Sequence, residues 1–280
     1  MDVVLAATLD EALEAMAEAP DARAIAGGTD LMVAMNRGSE RPGTIVDLTR
    51  LDELGDWSRN GRERVGAGVT YARIEADGDP DDALVQAARA VGSPQIRARG
   101  TVGGNVGTAS PAGDLLPVLA ARDADIELVS AAGRRSLPWH VFLTGPKRTA
   151  IAPGELIAGA SWAPLPGPSV FAKVGPRNAM VISICSVCVQ LDDDARTVRV
   201  AMGSVGPTVL RAPEAEAFAQ AALEGSRSPS EADLVRFGEL AAEAVRPIDD
   251  VRGTAAYRRH AVSVLATRLL GRALAARRET

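Results

Sequence analysis

Aromatic side chains are scarce in this 280-residue chain, 3% of the total, and cysteine and histidine are scarcer still, with two of each. So few aromatics leave few platforms for stacking on bases, which argues against a single-strand nucleic-acid binder. A dominant charge is missing too. The 31 Lys and Arg are interspersed with 36 Asp and Glu, for a net charge of −5, with no long block of either sign. That balance points neither to nucleic acid nor to a membrane surface. No apolar run reaches the roughly 18 residues of a spanning helix, so no membrane insertion is expected. The opening residues, MDVVLAATLDEALEAMAEA, have no basic region ahead of a long apolar run. They resemble neither a signal peptide nor a transit peptide, and the expected location is cytoplasmic.

Cys185 and Cys188 make a C-x-x-C within AMVISICSVCVQL, residues 179–191. The β-branched content of that segment reads as one buried strand. Positions i and i+3 of a strand point to opposite faces, so the two sulfurs are badly placed to share a metal or a disulfide. His140 and His260 are scattered and supply no second ligand pair. The cysteines are read as small buried hydrophobes, and no metal ligand is assigned in this chain.

What remains is an ordinary globular composition, 46% hydrophobic, at a length that suits two domains. Residues 8–19 read as a helix with Thr8 as N-cap and Glu11 at the capping-box position. A strand at 22–26, a helix at 29–36 and a strand at 44–48 complete a small β–α–β unit. Strand and turn are expected at 63–74 and a helix at 82–91 capped by Asp81 or Asp82. Residues 92–113 show no regular periodicity. A helix follows at 115–122, then a hairpin around Ala132-Gly133. The Pro/Gly-rich residues 163–168 mark the best boundary. Beyond them strands at 170–174, 179–191 and 197–204, with a turn at Asp192-Asp193-Asp194, precede helices, the last at 257–276. The expected divisions are 1–166, with subdomains of about 1–55 and 56–166, and 167–280.

Two glycine-rich loops carry the chemistry. AIAGGTDL, residues 24–31, is a strand, two glycines and a helix start, where backbone can approach a phosphate closely. The alternative is a plain turn capped by Thr29 or Asp30. The loop lacks the G-x-G-x-x-G spacing of the nicotinamide fingerprint. The second, GTVGGNVGTASPAGD, residues 100–114, has little of its own to bury, and a polar ligand would satisfy its backbone. Two such loops suit a diphosphate.

At these residues the chain resembles a known family. AGGTDL, then PQIRARGTVGGN, SPAGDLLPVLAARDA, FLTGPKRTAIAPGELI, FAKVGPRNAM and GSVGPTVLRAPEAE are similar to the FAD-binding (medium) subunit of the xanthine dehydrogenase and carbon monoxide dehydrogenase family of molybdenum hydroxylases. TASP at 108–111 leans towards the xanthine dehydrogenase side. The resemblance implies an α+β chain. Two α/β subdomains of the PCMH type would clasp FAD, and a C-terminal antiparallel sheet with helices, like that of the CO dehydrogenase flavoprotein, would close over it. It implies cofactor contacts from Ile25, Ala26, Gly27, Gly28, Thr29, Asp30 and Leu31, and from Thr101, Val102, Gly103, Gly104 and Asn105, around the diphosphate. Thr108 and Asp114 would lie near the ribityl and phosphate region. Ile157 and Lys173 would lie along the cofactor towards its ring. Helix capping for Asp114 and a solvated strand position for Lys173 are the plainer alternatives.

The resemblance further implies an oxidoreductase subunit within a hetero-oligomer. A large partner would carry the molybdenum cofactor and a small one the [2Fe–2S] clusters, while this chain passes electrons through FAD to NAD, a quinone or another acceptor. The protein would orient and tune the flavin, so no catalytic acid or base is assigned. Family members often carry an acidic residue shortly after the position of Arg177, where this chain reads RNAMVIS, which leaves the acceptor open. A second reading is a self-contained PCMH-fold flavin oxidoreductase acting on a small substrate. A third is a nucleotide-binding scaffold that has lost redox work.

Overall fold

The computed structural model describes residues 1–224 and 229–277. Its first layer is a three-stranded parallel sheet in the order β1-β3-β2, formed by β1 (Asp2–Leu5), β2 (Arg23–Ile25) and β3 (Thr44–Asp47). Between them run α1 (Leu9–Glu18) and α2 (Leu31–Asn36). Thr8 caps α1 through its Oγ1, 3.2 Å from Glu11 N, and the Glu11 carboxylate reaches back to Ala7 N at 2.8 Å. The expected β–α–β unit is present, and β1 is an additional strand. Its mostly exposed residues carry no alternation that a sequence pattern would register.

The second sheet has five strands in the order β4-β5-β10-β6-β7. They are β4 (Trp57–Ser58), β5 (Glu63–Gly66), β6 (Asp125–Ser130), β7 (Gly133–Pro138) and β10 (Leu156–Trp162). The hairpin around Ala132-Gly133 is β6–β7, closing at Ser130 opposite Gly133. β10 lies between β5 and β6, antiparallel to both. Six of its seven residues are buried, so it shows none of the alternation of a half-buried strand. A bulge between Ile157 and Gly159 leaves Ala158 without a partner on β6, while Ile157 stays paired with Leu128. The pair β8 (Leu143–Gly145) and β9 (Arg148–Thr149) stands apart.

The helices of this region are α3 (Tyr71–Asp77), α4 (Ala83–Ala90), α5 (Pro94–Arg99), α6 (Val102–Thr108) and α7 (Leu116–Ala121), with the short α8 (Trp139–Phe142) after β7. α6 packs on β5 and β10, and α3, α4 and α7 share the sheet's buried core. α3 replaces the turn expected up to residue 74, and α5 and α6 occupy the stretch without periodicity. Asp82 caps α4, its Oδ1 accepting from Leu84 N at 2.7 Å.

The third sheet is antiparallel: β11 (Ser169–Val174), β12 (Cys185–Asp192), β13 (Thr197–Gly203) and β14 (Leu210–Arg211). α9 (Pro213–Glu224), α10 (Glu231–Ala244) and α11 (Ala255–Ala276) cover one face, and α4 and α7 the other. Alternate residues of β12 therefore enter different cores. Cys185, Val187 and Val189 join the helical one, while Cys188 joins the core beneath α7. Both thiols are free and buried, on opposite faces as the strand period requires. The strand is shorter than expected: residues 179–184 precede it, with Met180 in left-handed backbone, φ 52°. Together the three sheets and their helices make the chain α+β.

Candidate functional site

One cleft of about 1500 Å³ is walled by both glycine loops and by the end of the third sheet. On its first wall, β2 ends at Ile25 and α2 starts at Leu31, and Gly28 takes φ 72° to make the bend. Asp30 occupies the cap position of α2 without a side-chain cap hydrogen bond. Among the described residues the amides of Gly28, Thr29 and Asp30 have no protein acceptor. Gly27 is held against the second loop. A Cβ there would fall 1.9 Å from the Arg99 carbonyl oxygen, so only glycine lets the loops meet.

The second wall is α6, seven residues with three glycines. Its buried side carries Val102 and Val106, four residues apart. Gly104, Gly107 and Thr108 lie on the cleft, at i, i+3 and i+4 of the same helix. The cleft face of this helix is therefore almost bare of side chains. Each interior glycine costs roughly 1 kcal/mol of helix propensity. Packing demands Gly103, where a Cβ would stand 2.7 Å from Ala67 Cβ, but makes no such demand at Gly104 or Gly107. Thr101 caps the helix, its Oγ1 accepting from Gly104 N at 3.0 Å. The amides of Val102 and Gly103 bind Val69 O and Ala67 O at 3.0 and 2.8 Å, and Asn105 N binds Thr101 O. Unlike the first loop, this one has already spent its amides on the protein. It offers a close surface and hydroxyl groups instead.

Of the residues expected at the cofactor, Ile25, Ala26, Gly27, Gly28, Thr29, Asp30 and Leu31 line the cleft, as do Thr101, Gly103, Gly104, Asn105, Thr108 and Ile157. Val102, Asp114 and Lys173 do not. Val102 belongs to the core, because the helix turns it inward. Asp114 and Lys173 are buried with each other, Oδ2 to Nζ 2.6 Å, and Asp114 Oδ1 accepts from Ser183 Oγ at 2.5 Å. Asp114 is thus neither a simple helix cap nor an open ligand group, and Lys173 is not solvated. Burial pushes the Asp114 carboxyl above its ordinary value, while Lys173 and Ser183 pull the other way.

The sequence reading passed over Tyr71, Arg23 and Lys147 on the near walls of the cleft, and Ile182, Ser204, Arg246 and Arg258 on the far one. Arg258 is only 3% exposed. It binds Ile184 O, Ser204 O at 2.8 Å and Asp250 Oδ1 at 2.7 Å, tying three segments of the far wall together. The sequence carries no local signal for that, since the partners lie up to 74 residues away. Among the described residues no cluster of His, Cys, Asp or Glu is arranged to hold a metal ion. No described helix is long and apolar enough to cross a membrane.

A bare helix face, a loop of free amides and hydroxyls at Thr29, Thr101 and Thr108 suit a phosphate-bearing dinucleotide. Comparison with known proteins agrees. Residues 1–161 match the model of the FAD binding domain in molybdopterin dehydrogenase, and residues 171–273 that of the CO dehydrogenase flavoprotein C-terminal domain. The chain is 29% identical to the xanthine dehydrogenase FAD-binding subunit of Escherichia coli O157:H7, over 97% of this chain and 95% of that one. It is 30% identical to the nicotine 6-hydroxylase medium subunit of Paenarthrobacter nicotinovorans, over 94% of each. Quinoline 2-oxidoreductase from Pseudomonas putida 86 contains a chain that superposes with a TM-score of 0.89 at 25% identity, covering 98% of this chain and 96% of that one.

Proposed function

The chain belongs to the family of the FAD-binding domain in molybdopterin dehydrogenases, and from that premise we propose that it binds one FAD in the cleft and relays electrons as one subunit of a molybdenum hydroxylase. The observation that carries this reading is the pairing, across one cleft, of a loop with unspent amides and a helix face almost bare of side chains. Bound FAD would supply the redox chemistry, taking up electrons and releasing them as a pair.

The residues of this chain do the rest. Gly28, Thr29 and Asp30 present amides to the diphosphate, and Thr101 and Thr108 present hydroxyls from the opposite wall. The faces of Gly104 and Gly107 admit the cofactor closely, with Ile157 packed beside Gly107, where a Cβ would stand 3.2 Å from Ile157 Cδ1. Asp114, Lys173 and Ser183 act one layer back, by fixing the third sheet to the start of α7. Arg258 shapes the far wall by holding Ile184, Ser204 and Asp250 together. The partners in this reading are a large molybdenum-cofactor subunit and a small iron–sulfur subunit, and the acceptor is an external one such as NAD or a quinone. Relatives named as medium or FAD-binding subunits favour this over a self-contained flavoenzyme.

The test is to tag the chain in its native host, purify it gently, and measure FAD, iron and molybdenum per chain. All three, with two further chains present, are expected. FAD without either metal would move the weight to a self-contained flavoenzyme, and a preparation without flavin would remove the proposal.

A further inference from the structure

Tyr71 is a buried polar group that neither the glycine pattern nor the family resemblance singles out. It opens α3 directly beneath the second glycine loop, and three hydrogen bonds lace its segment to that loop. Tyr71 N donates to Gly100 O at 3.1 Å, Val102 N to Val69 O at 3.0 Å and Gly103 N to Ala67 O at 2.8 Å. The ring packs under Gly100, whose missing Cβ would stand 2.7 Å from Tyr71 Cε2. Although 4% exposed, the residue lines the cleft between the two loops. Asn105 and Asp30 line the same cleft, and the carboxylates of Asp114 and Asp30 lie close enough to add to the effect of burial on the phenol.

We infer that Tyr71 is a further cofactor-binding residue, its hydroxyl donating to the diphosphate of the dinucleotide between the glycine loops; this rests on the FAD reading above. Three features support it. The ring is buried and packed under Gly100, so the hydroxyl is fixed without loss of rotamer freedom on binding. The Tyr71 hydroxyl donates to no protein acceptor among the described residues, which leaves its O–H free for a ligand in the cleft. Burial first, and then Asp114 and Asp30, hold the phenol above its ordinary pKa, so the proton stays in place across the physiological range. A neutral donor is also what the position calls for. A cation there would be drawn to Asp30 and Asp114 rather than to the ligand.

Tyr71→Phe removes the hydroxyl and keeps the ring. With the full-length chain stripped of flavin, the affinities for FAD, ADP and riboflavin are measured for both proteins by titration. FAD and ADP should each bind about 10- to 100-fold more weakly to the variant, as expected for loss of a donor to a charged acceptor. Riboflavin, which has no phosphate, should bind both equally. The thermal midpoint without ligand should be unchanged. Equal FAD affinity in the two proteins, or a loss that riboflavin shares in full, would overturn the assignment to the diphosphate. Failure of the unsubstituted chain to bind FAD at all would instead overturn the FAD reading, and this inference with it.

Discussion

Lys173 Nζ lies 2.6 Å from Asp114 Oδ2 with both side chains less than 10% exposed, an ion pair that joins β11 to the residues leading into α7. Removing one member strands the other in a poorly solvated place, whereas removing both leaves an apolar contact. Lys173→Met should therefore cost about 3–5 kcal/mol of stability, and the double variant Asp114→Leu/Lys173→Met should recover most of it in urea unfolding. Without Lys173 the Asp114 carboxyl rises further above its unfolded value. A group raised in the folded state binds more protons folded than unfolded, so its contribution is fullest at low pH and is lost as pH rises. The deficit of Lys173→Met should accordingly be smaller at pH 5 than at pH 7.

The two glycine loops should respond differently to a methyl group. Gly27→Ala puts a carbon 1.9 Å from the Arg99 carbonyl and must push the loops apart, so both thermal stability and FAD retention should fall. Gly104→Ala meets only Thr101 Oγ1, at 3.2 Å, and should fold with a thermal midpoint close to the parent. Its methyl occupies the bare face of α6, and FAD affinity should drop at least tenfold. Melting curves and flavin fluorescence on the same samples separate the two effects, and a Gly104→Ala protein that retains FAD fully would remove α6 from the site.

Burial pushes both thiols up to about 12. Cys185 and Cys188 should resist alkylation at pH 8 in the folded chain and react together once it is unfolded. Rapid modification of either in native buffer would contradict the packing of β12.

Asp250 accepts from Arg252 N, Arg258 and Gly253 N, and these hold its carboxyl below the ordinary value. A group lowered in the folded state contributes above its unfolded pKa and loses that contribution as pH falls through the folded one. Unfolding midpoints of the parent and of Asp250→Asn should differ above pH 4 and converge below it. Curves that stay parallel down to pH 3 would mean that Asp250 holds nothing.

Sequence legibility followed the amount of periodic signal. β11 and β13, with β-branched residues between turn signals, could be read directly, and so could the hairpin at Ala132-Gly133. β10 was missed because burial on both sides erased its alternation. α6 was missed because its one exposed face is glycine and its apolar stripe is only Val102 and Val106. The glycines that hide the helix are what make it a binding surface, so the loop pair was legible as motif though not as structure. Asp114 and Lys173 were picked out by resemblance, and their mutual burial, set by residues 59 apart, lay beyond any local pattern. The β-branched content of residues 179–184 predicts strand, whereas the strand begins at Cys185. The left-handed Met180 and the exposed Ile182 show a turn that hydrophobicity alone could not reveal.

The third sheet has no face of its own left over. One side takes α9, α10 and α11, but the other is completed by α4 and α7, which the chain supplies much earlier. During synthesis the C-terminal segment therefore closes onto a template that already exists, and cannot mature ahead of it. Heating should show the same dependence in reverse. The chain should melt in one cooperative step, and a fragment beginning at Ser169 should expose Phe171, Cys188 and Ala201 and aggregate.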